Sequence, residues 1–126
     1  MEKHLLCPKR RRQLPPQFSW IDQRLVREQL IDRLSHRAAT LYLFLCTVAD
    51  KNGLSYYSDR SLCRRLQMQS PQLASARAEL VGADLIAYQK PLYQVLALPE
   101  PKPQRATLDG PRPIGSILNA LLEGQS

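Results

Sequence analysis

The sequence predicts an α+β domain that is mainly helical, with a small antiparallel sheet closed by a β-hairpin. Apolar residues recur at helical spacing over residues 36–49, 59–68 and 70–82. Serines that suit the N-cap lie at the start of these three segments, at Ser35, Ser58 and Ser70. Two short apolar runs flank the polar stretch 89–91, which is typical of a hairpin tip.

The chain divides into four parts by composition. We expect a disordered basic arm over residues 1–16, a folded domain over 17–98, a proline-rich linker over 99–113 and a short amphipathic helix over 114–123. The net charge is +7, and the arm alone contributes +4. Its four consecutive cations are either a solvated tail or, as we favour, a means of neutralising phosphates. They are Lys9, Arg10, Arg11 and Arg12.

The N-terminal part of the domain has two predicted elements. The stretch "FSWID" (18–22) is expected to be a short strand or an extended entry segment that buries Phe18, Trp20 and Ile21 over the second face of the last strand. A modest helix should follow over residues 22–34, with apolar groups along one face. These groups are Leu25, Val26, Leu30 and Ile31.

The next helix is apolar nearly all round, which predicts a central helix packed on several sides. It begins after Ser35 and is expected to end with Gly53 in the C′ position. Leu41 and Leu45 lie on its main stripe, and Leu43 widens the apolar surface. Dimerisation through this helix is the alternative to burial in the core, so a homodimer remains possible.

Residues 59–82 have the pattern of two short helices joined by a turn of three or four residues, which is helix-turn-helix geometry. The order of elements over residues 35–98 resembles the winged helix-turn-helix family. "SLCRRLQMQSPQLASARAEL" is similar to the second and third helices of many bacterial members, and "LVGADLIAY" resembles the run that leads into their wing hairpin. This chain has Gln67 and Asp84 where many members have Gly. Together "FSWID", "LSYY" and "PLYQVL" resemble small bacterial proteins of mobile elements and plasmid-type replication.

The resemblance implies that the third helix enters the major groove of double-stranded DNA. A helical wheel places Gln72, Ser75, Ala78, Glu79 and Gly82 on its outer face. The candidate base-contacting residues at its start are Ser70, Gln72 and Ser75. Gln72 can donate and accept together, which suits the edge of adenine. Because this face lacks Lys and Arg, a merely solvated surface is the alternative.

Phosphate contacts are expected from the second helix and from the hairpin tip. Arg60, Arg64 and Arg65 lie away from the apolar face of the second helix, and Lys90 lies at the tip. Arg77 leans toward the apolar side of the third helix, so we expect it to form a structural ion pair with Asp59 or Asp84 rather than a DNA contact.

Several function classes lack support in the sequence. Two scattered histidines and three widely spaced cysteines form no catalytic or metal-binding motif, so we expect no enzyme activity, no metal and no cofactor. No apolar run reaches the roughly 18 residues of a membrane span, and no signal peptide is evident, so we expect a cytoplasmic protein without a membrane partner.

The C-terminal segment carries an apolar stripe at helical spacing, formed by Ile114, Ile117, Leu118, Leu121 and Leu122. Such a short helix needs a surface to fold against. It either docks back on the domain or recruits a protein partner. The sequence as a whole predicts sequence-specific binding of double-stranded DNA, by a transcriptional regulator or an accessory factor of a mobile element or of replication. The alternative is a protein–protein adaptor that acts through this segment.

Overall fold

The computed structural model describes residues 2–99, so the linker and C-terminal helix expected from the sequence lie outside the described residues. Within this range the architecture is mainly helical α+β, the winged helix-turn-helix arrangement, as predicted. Two 3-10 turns, Pro8–Arg10 and Ile31–Arg33, accompany the main elements. In chain order these are α1 (Arg24–Arg27), α2 (His36–Val48), β1 (Leu54–Tyr56), α3 (Asp59–Leu66), α4 (Ser70–Gly82), β2 (Ile86–Gln89) and β3 (Leu92–Val95).

The three strands form an antiparallel sheet in the order β1-β3-β2. β2 and β3 form the predicted hairpin, with Lys90 and Pro91 at its tip. Tyr93 of β3 lies opposite Ser55 on one side and Tyr88 on the other. Because β3 is the central strand, its side chains connect the hairpin to the rest of the domain.

One hydrophobic core joins the helices to the sheet. α2 packs along α4, and α3 packs against α4. The largest fully buried side chains come from α2, α3, α4, β2 and β3 and from Leu85, which lies between α4 and β2. They are Leu41, Leu45, Leu62, Leu73, Leu80, Leu85, Ile86 and Tyr93. Removing such residues from water is the main favourable term in folding a domain of this size.

Serine hydroxyls begin two of the helices as the sequence predicts. The Oγ of Ser35 accepts the backbone N–H of Ala38, and the Oγ of Ser58 accepts that of Ser61. The expectation for Ser70 is wrong, because Gln69 is the N-cap of α4 and Ser70 is its first helical residue. Pro71 still lies in the first turn, where its missing N–H costs nothing.

The two positions that depart from the family pattern both have left-handed backbone conformations. Gln67 ends α3 with φ of 55°, and Asp84 follows α4 with φ of 64°. Just after Asp84, the N–H of Leu85 donates to the carbonyl of Leu80, and the side chains of Leu80 and Leu85 are both buried. This combination is a Schellman motif. Glycine is favoured in this conformation because it has no Cβ, so the resemblance and the backbone agree.

The N-terminal part of the domain departs from the sequence prediction. Residues 18–22 form no strand, which leaves the alternative of an entry segment, and the predicted burial is wrong because the side chains of Phe18, Trp20 and Ile21 are exposed. The helix expected over 22–34 is reduced to α1 and a 3-10 turn, because Gln29 adopts a positive φ of 60° between them. As a result Val26 and Ile31 are exposed, whereas Leu25 is buried.

The central helix is shorter and less enclosed than predicted. α2 ends at Val48, and Gly53 lies in the turn that leads into β1 instead of at the helix C′ position. Leu43 is 55% exposed, so it is not a core residue. At Gly53 φ is +84°, and its carbonyl accepts the N–H of Val95 at 2.8 Å, which ties the turn to β3.

We predict that Gly53→Ala destabilises the domain by at least about 2 kcal/mol. Its Cβ would lie 2.5 Å from the carbonyl oxygen of Val95, and the positive φ adds strain. Gly82→Ala is the matched control, because a Cβ there meets nothing within 4 Å and alanine favours the helix by about 0.5–1 kcal/mol. Urea unfolding of both variants measures the difference. Equal stability of the two would contradict the close packing at Gly53.

Candidate nucleic-acid interface

The surface of interest is built on α3, the turn 67–69 and α4. The left-handed Gln67 reverses the chain after α3, and the N–H of Met68 donates to the carbonyl of Cys63. The Met68 side chain is buried in the core, which fixes the turn between the two helices. α4 therefore starts at a set angle to α3, as the predicted helix-turn-helix requires.

Arg77 connects α4 to both α3 and the hairpin. One of its guanidinium nitrogens donates to Asp59 Oδ1 at 2.8 Å and to the hydroxyl of Tyr93 at 2.8 Å. The other donates to Asp59 Oδ2 at 3.3 Å. The guanidinium also lies 4.3 Å from the ring centre of Tyr88, a cation–π contact. The predicted structural ion pair is confirmed with Asp59 as the partner.

The electrostatics of this cluster keep the Arg77 guanidinium charged beside the Asp59 carboxylate and the neutral Tyr93 hydroxyl. Burial alone would lower the pKa of Arg77, but its hydrogen bonds to Asp59 and Tyr93 outweigh that effect and raise it. Burial raises the pKa of Tyr93, and the bond from Arg77 offsets only part of the rise. Tyr93 therefore stays protonated at neutral pH. Its hydroxyl can accept from Arg77 without carrying a charge of its own.

The exposed surface of α4 carries no charged side chain. Ser75, Ala78 and Gly82 are exposed as the wheel predicted, and Ala74 and Val81 are exposed beside them. Ser70 and Pro71 are exposed in the first turn. We call this surface the α4 face; its members are Ser70, Pro71, Ala74, Ser75, Ala78, Val81 and Gly82. Small side chains allow close approach to another surface.

The structure corrects the placement of Gln72 and Glu79, which the wheel put on the outer face. Both are half-buried and bonded within the domain. The Oε1 of Gln72 accepts the backbone N–H of Gln69 at 2.9 Å, and Glu79 Oε2 accepts that of Ser35 at 2.9 Å. A bidentate contact with adenine needs both the oxygen and the nitrogen of the amide. As placed, the Oε1 of Gln72 already accepts a hydrogen bond within the domain, and the N–H groups of its Nε2 remain available to DNA.

The predicted phosphate-binding cations are exposed and lie on the elements beside α4. Arg60 and Arg64 are four residues apart on α3 and so share one side of that helix. Arg65 is next to them, with its guanidinium 5.8 Å from the ring centre of Phe44. Lys90 is exposed at the hairpin tip. The arm is exposed throughout residues 2–16, so Lys9, Arg10, Arg11 and Arg12 are all accessible.

Some features of this surface were not predicted. Ala74 and Val81 were missed because the wheel took Leu73 and Leu80 as the centre of the buried side. The buried side also includes Ala76, so its centre, and with it the exposed side, is rotated relative to that wheel. The part played by Tyr93 was missed because it depends on pairing across the sheet. Within residues 2–99 no group of three His, Cys, Asp or Glu side chains is arranged to hold a metal ion. None of the helices in that range is long and apolar enough to cross a membrane.

Comparison with known protein families agrees with this geometry. Residues 32–86 match the family model of a helix-turn-helix domain. The matched range contains α2, β1, α3, the turn and α4, and it ends at the first residue of β2. The match supports a helix-turn-helix DNA-binding protein. Comparisons with curated proteins and with solved structures found no match.

We predict that Tyr93→Phe destabilises the domain by about 1 kcal/mol, because the buried Arg77 loses one acceptor. The ring stays in place, so packing is preserved. Tyr56→Phe removes the hydroxyl of an exposed tyrosine in the same sheet and should leave stability unchanged. Thermal unfolding of both variants tests this. If Tyr93→Phe melts like the parent protein, the hydroxyl does not support Arg77.

Proposed function

We propose that this protein binds double-stranded DNA in a sequence-specific manner by placing α4 in the major groove. The observation that carries the proposal is the exposed, uncharged α4 face beside three exposed arginines of α3, inside the range that matches a helix-turn-helix domain. We further propose a binding role without catalysis. The role fits a bacterial transcriptional regulator or an accessory factor of a mobile element or of DNA replication.

The chemistry of the α4 face suits base edges. Ser75 can donate to or accept from several base atoms, and Ala74 and Ala78 can contact the methyl group of thymine. No carboxylate lies on this face, since Glu79 is bonded to the backbone of Ser35. Because Glu79 is held there, it adds less repulsion toward phosphates than an outward-pointing carboxylate would.

Affinity is supplied by cations outside the α4 face. The three exposed arginines of α3, Arg60, Arg64 and Arg65, can neutralise phosphates along the backbone, and Lys90 can do so from the hairpin. The exposed arm adds four consecutive positive charges. This division, with base contacts from α4 and phosphate contacts from its neighbours, is the usual arrangement in helix-turn-helix complexes.

We predict that Arg64→Ala combined with Arg65→Ala weakens binding to every duplex. Two phosphate contacts would be lost, so the slope of log affinity against log salt should flatten by about one to two units. Fluorescence polarisation with a labelled duplex at several salt concentrations measures both quantities.

The matched control combines Arg27→Ala with Lys51→Ala. It removes the same charge from exposed positions outside α3 and α4. If the control loses as much affinity and slope as the α3 variant, binding depends on overall charge and the proposed orientation is wrong. Unchanged affinity of the α3 variant would also contradict it.

We predict that Gln72→Glu keeps the stability of the domain and weakens DNA binding. Glutamate can accept the N–H of Gln69 as glutamine does, and a negative charge suits a helix N-terminus. The same charge would repel DNA held against that end of α4. Gln72→Ala should instead lose about 0.5–1 kcal/mol of stability, because the cap is removed.

Gln23→Glu serves as the charge control, since Gln23 is exposed at the start of α1. Duplex binding and thermal unfolding are measured for all three variants. DNA affinity of Gln72→Glu equal to that of Gln23→Glu would show that the start of α4 does not face the DNA.

A further inference from the structure

A groove of about 530 Å³ lies between the N-terminal segment 18–22, one side of α2 and the chain that leaves β3. α2 contributes Tyr42 and Cys46, both of which are buried. Phe18 and Trp20 also line it, although their side chains are 59% and 75% exposed. We call this the N-terminal groove. Two large aromatic side chains exposed beside a groove with both apolar and polar lining are typical of a surface that binds another segment.

We propose that the C-terminal segment of the same chain, residues 114–122, docks in the N-terminal groove. The described chain ends at this place, because Leu98 lines the groove and Pro99 is the last described residue. Residues 100–126 therefore start from the edge of the groove. Their sequence contains the apolar stripe of Ile114, Ile117, Leu118, Leu121 and Leu122, the kind of surface that a groove of this type accepts.

The length of the linker favours docking within one molecule. At the ~3.1 Å per residue of a proline-rich chain, the fourteen residues 100–113 reach about 43 Å at most, and the proline-free stretch 104–110 allows the chain to turn back toward its own starting point. A short tether that reaches its own site gives an effective concentration of up to the order of millimolar. A second copy or another protein at micromolar concentration would need an affinity about a thousandfold higher to compete.

The charges around the groove are compatible with this occupant. Asp22 is paired with Arg24 at 2.8 Å, and Asp50 accepts backbone N–H groups of its own turn. Lys51 is exposed at the groove. Residues 114–123 contain a single charged residue, Glu123, at the end of the stripe. An apolar segment with one terminal carboxylate buries no unpaired charge here, and Glu123 can approach Lys51.

The groove is separate from the proposed DNA-binding surface, since its lining includes no residue of α3 or α4. Docking therefore leaves the α4 face accessible. The inference does not depend on DNA binding, and a failure of either proposal leaves the other standing.

The single tryptophan of the chain gives a direct test, because Trp20 lies in the groove. In the chain of residues 1–126 we expect Trp20 emission that is blue-shifted relative to a water-exposed tryptophan, and slow quenching by acrylamide. Leu118→Asp with Leu121→Asp should abolish both effects, and Phe18→Ser should weaken docking from the other side. Asn119→Asp, which adds charge beside the stripe, is the control and should behave like the parent protein. Duplex affinity should change little in the stripe variant.

Three outcomes would overturn the proposal. Trp20 emission and quenching that are identical in the parent and the stripe variant would show that the segment does not occupy the groove. A blue shift that appears only as protein concentration rises would assign the groove to a second copy. Protection of Trp20 that appears only when another protein is added would assign the segment or the groove to that partner. Circular dichroism of each variant confirms that the domain remains folded.

Discussion

The guanidinium of Arg77 lies where α3, α4 and the hairpin meet, and the geometry of the interface depends on it. Only 14% of this side chain is exposed, so its charge must be satisfied inside the protein. Asp59 satisfies it from the start of α3, and Tyr93 satisfies it from the central strand. A rotation of either helix, or of the hairpin, would break one of these bonds. Because the Asp59 side chain is 42% exposed, water weakens its ion pair with Arg77, and the pair adds little net stability. The main effect of the network is to fix the elements relative to one another.

This arrangement separates the residues that hold the domain together from those available to a ligand. The charged and amide side chains of α4, namely Gln72, Arg77 and Glu79, all bond within the domain. Glu79 in particular reaches the N-cap of α2, so it couples α4 to a residue 44 positions away in the chain. The α4 face retains only small, proline, valine and serine side chains. The exposed cations predicted to contact phosphates lie on other elements, namely α3, the hairpin tip and the arm.

Local signals in the sequence were sufficient for much of this fold. Ser35 and Ser58 cap helices because each hydroxyl accepts a backbone N–H of the turn that follows it, which is a local contact. Strands β2 and β3 pair around a short polar tip, which is also local in the chain. Predictions that depended on distant contacts were less successful. Whether Trp20 is buried depends on what covers it, and whether Glu79 faces outward depends on Ser35. Apolar spacing over residues 22–34 did not reveal the positive φ at Gln29 that divides the helix.

The composition of the α4 face also bears on how the proposed DNA specificity can change. Ala74, Ser75 and Ala78 are exposed, and none of the hydrogen bonds that fix α3, α4 and the hairpin involves their side chains. Replacing them alters what the helix presents without disturbing what positions it. Under the proposed function, new DNA specificities can then arise by single substitutions at a few tolerant positions, in evolution or in a randomised library. The residues that position α4 are thus different from the residues that α4 exposes.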